Sequence, residues 1–294
     1  MFKTAEELLA LTKSRGCHIS DIVLSRECAL VEKTPEEIYA RLRSFLGVMK
    51  EAAEAARDKA LATRGGLISG DAKRLSDYAK AGRTVCGDAL ITAMARALSC
   101  SEVNASMGRI CAAPTAGASG ILPAVIIGVA EAQNLPEQAL LDALLTSSGV
   151  GIIIEAGATL AGARGGCQAE CGASAAMSAA AAVEMMGGTP AQALHAASIA
   201  LKNVMGLVCD PIAGMVECPC AKRNASGAAN AMLSADLALA GIISVIPFDE
   251  VVNAMARVGR MMPSELRETS AGGIATTKTA LEYAKRIMGS AHTV

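Results

Sequence analysis

The sequence has few aromatic residues and almost no net charge. Its 294 residues include no Trp, 3 Tyr and 3 Phe, and 27 Lys and Arg are balanced by 28 Asp and Glu, for a formal net charge of -1. Proteins that bind nucleic acids need a basic surface, and those that bind single strands usually add aromatic rings on which bases stack. Both features are missing here, so we expect no nucleic-acid partner.

The hydrophobic residues, 52% of the sequence, must therefore be mostly small or aliphatic. Alanine is the best helix former, and small side chains let helices pack closely. The sequence thus predicts an all-α fold, a compact multi-helix domain. The longest uncharged run, 110–130, contains Pro114 and Pro123. We interpret it as a loop followed by a buried helix rather than as a membrane span.

Local signals place helix starts throughout the chain. Three patterns are typical of capped helix N-termini: Thr4 with Glu7, Thr34 with Pro35 and Glu37, and Thr189 with Pro190 and Gln192. The second of these helices is predicted to run to about Ala62. Asp71 and Asp249 are predicted N-caps. Further helices are expected at 88–100, 119–133, 136–148, 173–187, 190–205, 224–240, 249–261 and 276–288. We divide the chain into an N-terminal helical extension, 1–64, and a catalytic domain, 65–294.

The sequence contains ten cysteines. Charged residues near the N-terminus interrupt any secretory signal, so we expect a cytoplasmic protein whose thiols stay reduced. Cys86, Cys100 and Cys111 fit the role of small buried residues. Five other cysteines lie in segments that are broken by glycine or proline: Cys167, Cys171, Cys209, Cys218 and Cys220.

These five cysteines favour a soft metal, because thiolates bind zinc, copper(I) or iron–sulfur clusters. Zinc ribbons use C-x₂-C pairs, which the chain lacks. From spacing alone, three or four of the five could be ligands. If three are, one iron of a four-iron cluster stays open and can act as a Lewis acid.

Three ordered motifs resemble the iron–sulfur-dependent L-serine dehydratases, and specifically their α chain. The motifs are NASMGRICAAPTAGASGILPA at 104–124, GGCQAE at 165–170, and LVCDP…ECPCAKRN within 207–224. The resemblance implies an all-helical catalytic domain with glycine-rich loops around a 4Fe-4S cluster. It also implies deamination of L-serine to pyruvate and ammonia without pyridoxal phosphate.

Carried over by position, the cluster ligands of this family fall on Cys167, Cys209 and Cys220. Cys171 and Cys218 stand where we expect apolar residues, so we predict that they are extra thiols. The resemblance further implies a separate β subunit, in a heterodimer or a larger assembly. The resemblance implies that the β domain of the family carries a Ser-Ser-His-Thr type segment that contributes to the active site. The near-terminal Ala-His-Thr of this chain, 291–293, is too short and misplaced to be that segment. A C-terminal cysteine that caps the fourth iron in some relatives is missing from this sequence.

The remaining site candidates are polar residues near these motifs. Thr115 and Ser119 precede a helix, whose N-terminus suits a substrate carboxylate, although Ser119 could equally cap that helix. Lys222 and Arg223 could orient a carboxylate. Asn104 and Asn224 could donate hydrogen bonds to the substrate. The catalytic base is not identifiable from the residues alone.

Two other functions remain open. Elimination of sulfide from cysteine needs the same α,β chemistry, so a cysteine desulfidase is an alternative. A non-catalytic iron–sulfur redox sensor is the other, and it would use four cysteine ligands. Turnover of serine compared with cysteine, and the response of the cluster to serine, discriminate among the three.

Overall fold

The computed structural model describes residues 1–290, and within this range every regular element is helical. The only β-type pairing in that range is an isolated parallel bridge between Cys209 and Arg267. The predicted all-α fold is confirmed. The near-terminal Ala-His-Thr segment lies outside the described residues.

Thirteen α-helices follow one another in the described chain. They are α1 Ala5–Arg15, α2 Ile19–Val31, α3 Pro35–Glu54, α4 Asp71–Lys80, α5 Gly87–Ala105, α6 Ile121–Gln133, α7 Glu137–Gly157, α8 Gly162–Gly165, α9 Cys171–Met185, α10 Pro190–Lys202, α11 Cys220–Leu239, α12 Phe248–Met261 and α13 Lys278–Ser290.

Three predicted helix starts are confirmed in detail. Thr4, Thr34 and Thr189 each accept a hydrogen bond from the backbone N–H three residues later, and the side chain of that residue accepts one in return. Pro35 and Pro190 occupy the first helical position. These capping boxes depend on residues within one turn, which is why the sequence alone predicts them.

Other boundaries were wrong. Helix α3 ends at Glu54 rather than near Ala62. Asp71 is the first residue of α4 and not its N-cap, because Gly70 holds that position. Asp249 lies inside α12, and its carboxylate accepts hydrogen bonds from the backbone of Ala5 (2.8 Å) and Glu6 (3.1 Å). It therefore stabilises the N-terminus of α1, a partner far away in sequence.

Helix α9 forms the centre of the molecule. Residues 173–183, mostly alanine, are all buried. Helices α6, α7, α10 and α11 surround it. Because alanine projects only a methyl group, these helices approach closely, which explains how a core forms with so few aromatic rings. We call residues 173–183, together with the side chains that face them, the alanine core.

The N-terminal helices share a hydrophobic core with the rest of the chain. Phe2, Leu8, Ile19 and Val23 are fully buried in the same cluster as the alanines of α9. The boundary between residues 64 and 65 stays a prediction, and the packing of α1 and α2 crosses it.

Two helical segments are long and apolar enough to be candidate membrane spans: Ala116–Gln133, with mean hydropathy 1.3, and Glu137–Gly157, with 1.6. Of these windows, 72% and 67% respectively are buried inside the protein. Such burial is typical of core helices, and it agrees with our interpretation of the 110–130 run as a loop followed by a buried helix.

Candidate iron–sulfur site

Three loops meet beside the N-termini of α9 and α11. We call segments 113–120, 162–170 and 206–220 the site loops. Cys167 lies in a short 3₁₀ turn directly before α9, and Cys220 is the first residue of α11. Cys209 lies in the loop after α10. A backbone hydrogen bond from Gln168 to Leu207 (3.1 Å) joins two of these loops.

The Gln168 side chain holds the Cys167 loop in place. Its amide nitrogen donates to the carbonyl oxygens of Gly165 (2.9 Å) and Met255 (3.2 Å), and its amide oxygen accepts from the Gly206 N–H (2.9 Å). This side chain is fully buried. One amide therefore connects the Cys167 loop to α12 and to the loop that carries Cys209.

A second set of contacts fixes Cys209. Its N–H donates to the Leu266 carbonyl (2.8 Å), and its own carbonyl accepts from the Glu268 N–H (2.7 Å). The carboxylate of the next residue, Asp210, accepts from the Ile274 N–H and from Arg223, each at 2.9 Å. Segment 266–274 thus lies across the Cys209 loop and holds it by its backbone.

The predicted ligands are brought together as free, shielded thiols. Cys167 and Cys209 are buried and Cys220 is partly so. A hydrogen bond from the Cys171 thiol, with the nearby Arg223 guanidinium, lowers the pKa of Cys167 below its ordinary value. Burial raises the pKa of Cys220 to about 12 and that of Cys209 as well. Metal binding must therefore release protons from at least two of these thiols.

Cys171 belongs to the same group as Cys167. The pKa of Cys171 is well above its ordinary value, because Cys167 accepts its hydrogen and because it is buried. We call Cys167, Cys171, Cys209 and Cys220 the thiol site. The spacing of Cys171 from Cys167, four residues across a helix start, is the sequence signal for their contact.

The cysteine sulfurs of the thiol site suit an iron–sulfur cluster better than a single metal ion. Within residues 1–290, no three His, Cys, Asp or Glu side chains converge on a point where one metal ion could bind. In a 4Fe-4S cluster each cysteine binds a different iron, so the sulfurs need not converge. Buried thiols from three loops, with Arg223 beside them, fit such a group.

The two predicted cationic residues have different surroundings. Arg223 donates to the Val208 carbonyl (2.7 Å) and to Asp210, so it braces the Cys209 loop, and it also lies beside Cys167. Lys222 is exposed and forms an ion pair with Asp71 on α4. The structure therefore brings Arg223, and not Lys222, to the thiol site.

Asn224, Asn104 and Ser119 shape the 113–120 loop. The Asn224 oxygen accepts from the Gly120 N–H (2.9 Å), and its nitrogen donates to the carbonyls of Gly117 (2.7 Å) and Cys220 (2.9 Å). Asn104 and Ser119 both donate to the Ala116 carbonyl, at 3.2 and 2.8 Å. Ser119 does not cap α6, whose N-cap is Gly120. These three side chains therefore hydrogen-bond to the backbone of the 113–120 loop.

Thr115 is different from these three residues. Its hydroxyl oxygen is buried and has no hydrogen-bond partner in the described part of the chain. It lies next to the Glu170 carboxyl group, whose ionised form it favours. An unpaired buried hydroxyl costs free energy, so its retention beside the thiol site is consistent with a role in binding a ligand.

Glu170 is a site residue that the sequence analysis missed. Its carboxyl group is half-buried and close enough to influence Cys167, Cys171, Cys209 and Cys220. Burial raises its pKa, and Glu268 opposes its ionisation further. Glu170 is the last residue of the GGCQAE motif, but nothing in that pattern distinguishes its carboxyl group from that of any acidic residue before a helix.

Comparisons with known proteins give one consistent family. A family model described as serine dehydratase alpha chain matches residues 14–275. The L-serine dehydratase alpha chain of Peptoniphilus asaccharolyticus is 52% identical over 95% of this chain and 96% of its own length. The probable L-serine dehydratase alpha chain of Bacillus subtilis is 45% identical over 99% and 97%. The L-serine dehydratase of Mycobacterium tuberculosis is 36% identical over 93% of this chain but only 61% of its own.

Proposed function

Since this chain belongs to the serine dehydratase alpha chain family, we propose that it deaminates L-serine to pyruvate and ammonia as the α chain of a two-subunit iron–sulfur enzyme. The observation that carries this proposal is the thiol site: three loops with the family's motifs bring Cys167, Cys209 and Cys220 together as free thiols. The reaction makes the protein a carbon–nitrogen lyase.

In this proposal Cys167, Cys209 and Cys220 each bind one iron of a 4Fe-4S cluster, and the fourth iron has no cysteine ligand. When bound, the cluster supplies a Lewis acid that polarises the hydroxyl and carboxylate of serine. Arg223 offsets the negative charge of the thiolates and keeps Asp210 and the Cys209 loop in position. Pyridoxal phosphate has no part in this chemistry.

The 113–120 loop binds the substrate in this account. Thr115 supplies the free hydroxyl, while Asn104, Ser119 and Asn224 hold the backbone around it. Loss of water from serine gives aminoacrylate, whose imine tautomer is hydrolysed to pyruvate and ammonia.

A separate β chain completes the enzyme in this proposal. The Peptoniphilus asaccharolyticus and Bacillus subtilis relatives are named alpha chain and match over nearly their whole length, whereas the Mycobacterium tuberculosis L-serine dehydratase extends well beyond the matched part. We place the assembly in the cytoplasm, where ten free thiols stay reduced.

Anaerobic reconstitution with iron and sulfide, followed by a pyruvate assay with and without the β chain, tests this proposal. We expect the isolated chain to bind a cluster and to deaminate serine only slightly until the β chain is added. Faster turnover of cysteine than of serine would indicate a desulfidase. A four-cysteine cluster whose spectrum ignores serine would indicate a redox sensor.

A further inference from the structure

The loop that joins α11 to α12 is exposed and aliphatic. Four of its side chains are between 44% and 78% exposed: Ile242, Ile243, Val245 and Ile246. Elsewhere within residues 1–290, exposed large hydrophobic side chains occur singly or as one adjacent pair. Single exposed hydrophobic side chains are normal, whereas a contiguous group indicates a surface where another molecule binds. We call residues 241–247 the aliphatic loop.

Hydrogen bonds hold the aliphatic loop in one shape. Ser244 is buried at its centre; its hydroxyl donates to the Ile246 carbonyl (2.6 Å) and its N–H donates to His195 Nδ1 (3.4 Å). The Ser244 carbonyl accepts from Lys202 Nζ (2.5 Å). Val245 has φ of 66°, a left-handed conformation that β-branched residues rarely adopt. Because the loop is already ordered, little conformational entropy is lost when a partner covers it.

A cavity lies directly beside the aliphatic loop. Its volume is about 500 Å³, and its apolar walls come from α1, α10 and α12, with Leu9, Leu194 and Phe248 among them. Val245 and Ile246 line the same cavity. A projecting apolar loop and an apolar cavity thus share one face. Such a face is self-complementary: the loop of one copy can enter the cavity of a second copy, and a two-fold axis produces the reverse contact.

The charges on this face also allow two copies to meet. Glu6 and Glu250 are exposed and line the cavity, and in the described part of the chain no Lys or Arg lines it. Asp249 lines it as well, but its carboxylate is bonded to the N-terminus of α1. Lys202 reaches the aliphatic loop from farther along α10, at the Ser244 carbonyl. A two-fold axis can therefore place the lysine of one copy opposite the carboxylates of the other, the complementarity that specific interfaces use.

The aliphatic loop lies far from the thiol site. Helix α11 begins at Cys220 and has 20 residues, so its last turn, which leads into the loop, is about 30 Å from that cysteine. Helix α12 leads away from the loop, and just beyond its end Met262 lies against Gly166 of the Cys167 loop. In the proposed function the β chain acts at the thiol site, which is the opposite end. A second copy of this chain is therefore the occupant that fits this face.

We propose that the aliphatic loop and the adjoining cavity form a two-fold interface between two copies of this chain. Ile243 and Val245, the two most exposed side chains of the loop, enter the cavity of the other copy. The smallest complete enzyme then contains two α and two β chains. The choice of a second copy over the β chain rests on the proposed function, whereas the contact itself depends neither on a cluster nor on serine.

The test is the mass of the full chain in solution, measured by sedimentation equilibrium alone and after addition of the β chain. Val245→Asp and Ile243→Asp place a charge in the contact, and aspartate tolerates a left-handed conformation better than valine does. Ala191→Trp fills the cavity from an exposed position without adding a charge. Val85→Asp is the matched control, because Val85 is 97% exposed and lies in the loop before α5.

We expect the parent chain to have twice its own mass of 29.8 kDa, and its complex with the β chain to contain two copies of each chain. Each aspartate variant should raise the dissociation constant of the dimer at least about a hundredfold, because the two-fold axis buries two unpaired carboxylates. Ala191→Trp should raise it as well, and Val85→Asp should leave it unchanged. A cooperative urea transition in the aspartate variants shows that the contact was lost and not the fold.

Three results would overturn the inference. The first is a parent chain that is monomeric and forms a complex of one α and one β chain. The second is a Val85→Asp chain whose dimer is weakened as much as that of Val245→Asp. The third is a dimer that the β chain dissociates, together with a Val245→Asp chain that no longer binds the β chain. These masses do not depend on the cluster, so a parent enzyme that forms no pyruvate is a separate result.

Discussion

The alanine core and the site loops are both buried, yet their hydroxyl groups are paired to different extents. Around the alanine core Ser174 donates to the Ala113 carbonyl (2.6 Å), Ser178 to Ser174 (2.7 Å) and Ser198 to Leu194 (2.7 Å), while the buried Thr146 hydroxyl on α7 has no partner in the described part of the chain. In the site loops the Thr115 hydroxyl has none, and the Glu170 carboxyl group has no cation. Each unpaired buried group costs about 1–3 kcal/mol. The site loops differ in that their unpaired hydroxyl lies beside an ionisable carboxyl group and the thiols, where a ligand can pair with it.

Glycine serves the two regions differently as well. Gly227 on α11 faces Ile121, where a Cβ would lie 2.5 Å from Cδ1, so it allows two helices to touch. Gly166 in the Cys167 loop has φ of 75°, a left-handed conformation that favours glycine. Its missing Cβ also leaves space for the Leu207 carbonyl. Glycine thus allows two helices to pack closely in one region and allows a left-handed backbone conformation in the other.

The largest expected effect comes from removing the thiols themselves. Cys167→Ser, Cys209→Ser and Cys220→Ser should each lose the cluster, because a serine oxygen is a poor ligand for iron in a sulfur cluster. Analysis of iron and sulfide in the purified proteins measures this loss directly.

Cys171→Ser and Cys218→Ala are the matched controls. Both should keep the cluster, although Cys171→Ser changes a hydrogen bond to Cys167. Loss of the cluster in Cys218→Ala combined with its retention in Cys220→Ser would reverse our assignment of the ligands.

Exposure to air should remove activity quickly, and ferrous iron with a thiol should restore it. The iron without a cysteine ligand is the one most easily released. Serine should slow the loss in a concentration-dependent manner, because a ligand that binds only the intact state stabilises it. The measurement is residual pyruvate formation after timed exposure, and decay that ignores serine would argue against contact between the substrate and the cluster.

Glycine substitutions in helices away from the site loops should change stability rather than chemistry. Gly227→Ala forces Ile121 to move and should destabilise the fold by about 1–3 kcal/mol. Gly47→Ala in α3, where a Cβ has open space, should stabilise it by about 0.5–1 kcal/mol. Urea denaturation of the two variants measures both changes. Equal stabilities would show that α11 and α6 are not tightly packed.

The smallest effect on stability is expected at Thr115. Thr115→Val removes an unpaired hydroxyl and should leave the free energy of unfolding unchanged or slightly higher. It should raise KM for serine roughly tenfold, the value of one hydrogen bond of about 1.4 kcal/mol. Ser174→Ala is the paired control: it should cost about 1–2 kcal/mol of stability because a bonded hydroxyl is lost. Equal losses of stability would contradict the difference between the regions.

What the sequence could predict depended on how far apart the interacting residues lie. The capping boxes at Thr4, Thr34 and Thr189 were predicted because both partners lie within one turn. Asp249 was misassigned because its partner, the Ala5 N–H, is 244 residues away. The thiols were found through their motifs. Glu170 ends one of these motifs, but it was missed because only the fold shows that its carboxyl group also lies close to Cys209 and Cys220. The role of Asn224 in substrate binding stays a prediction, and its hydrogen bonds to the loop were not foreseeable.

The most direct test of the account is Mössbauer spectroscopy of the anaerobically reconstituted chain, recorded with and without serine. The account predicts that one iron site differs from the others and that serine changes the signal of this site alone. A spectrum in which all irons are equivalent and serine has no effect would contradict it. That result would mean four cysteine ligands, and the thiol site would then be an electron carrier or sensor rather than a catalyst.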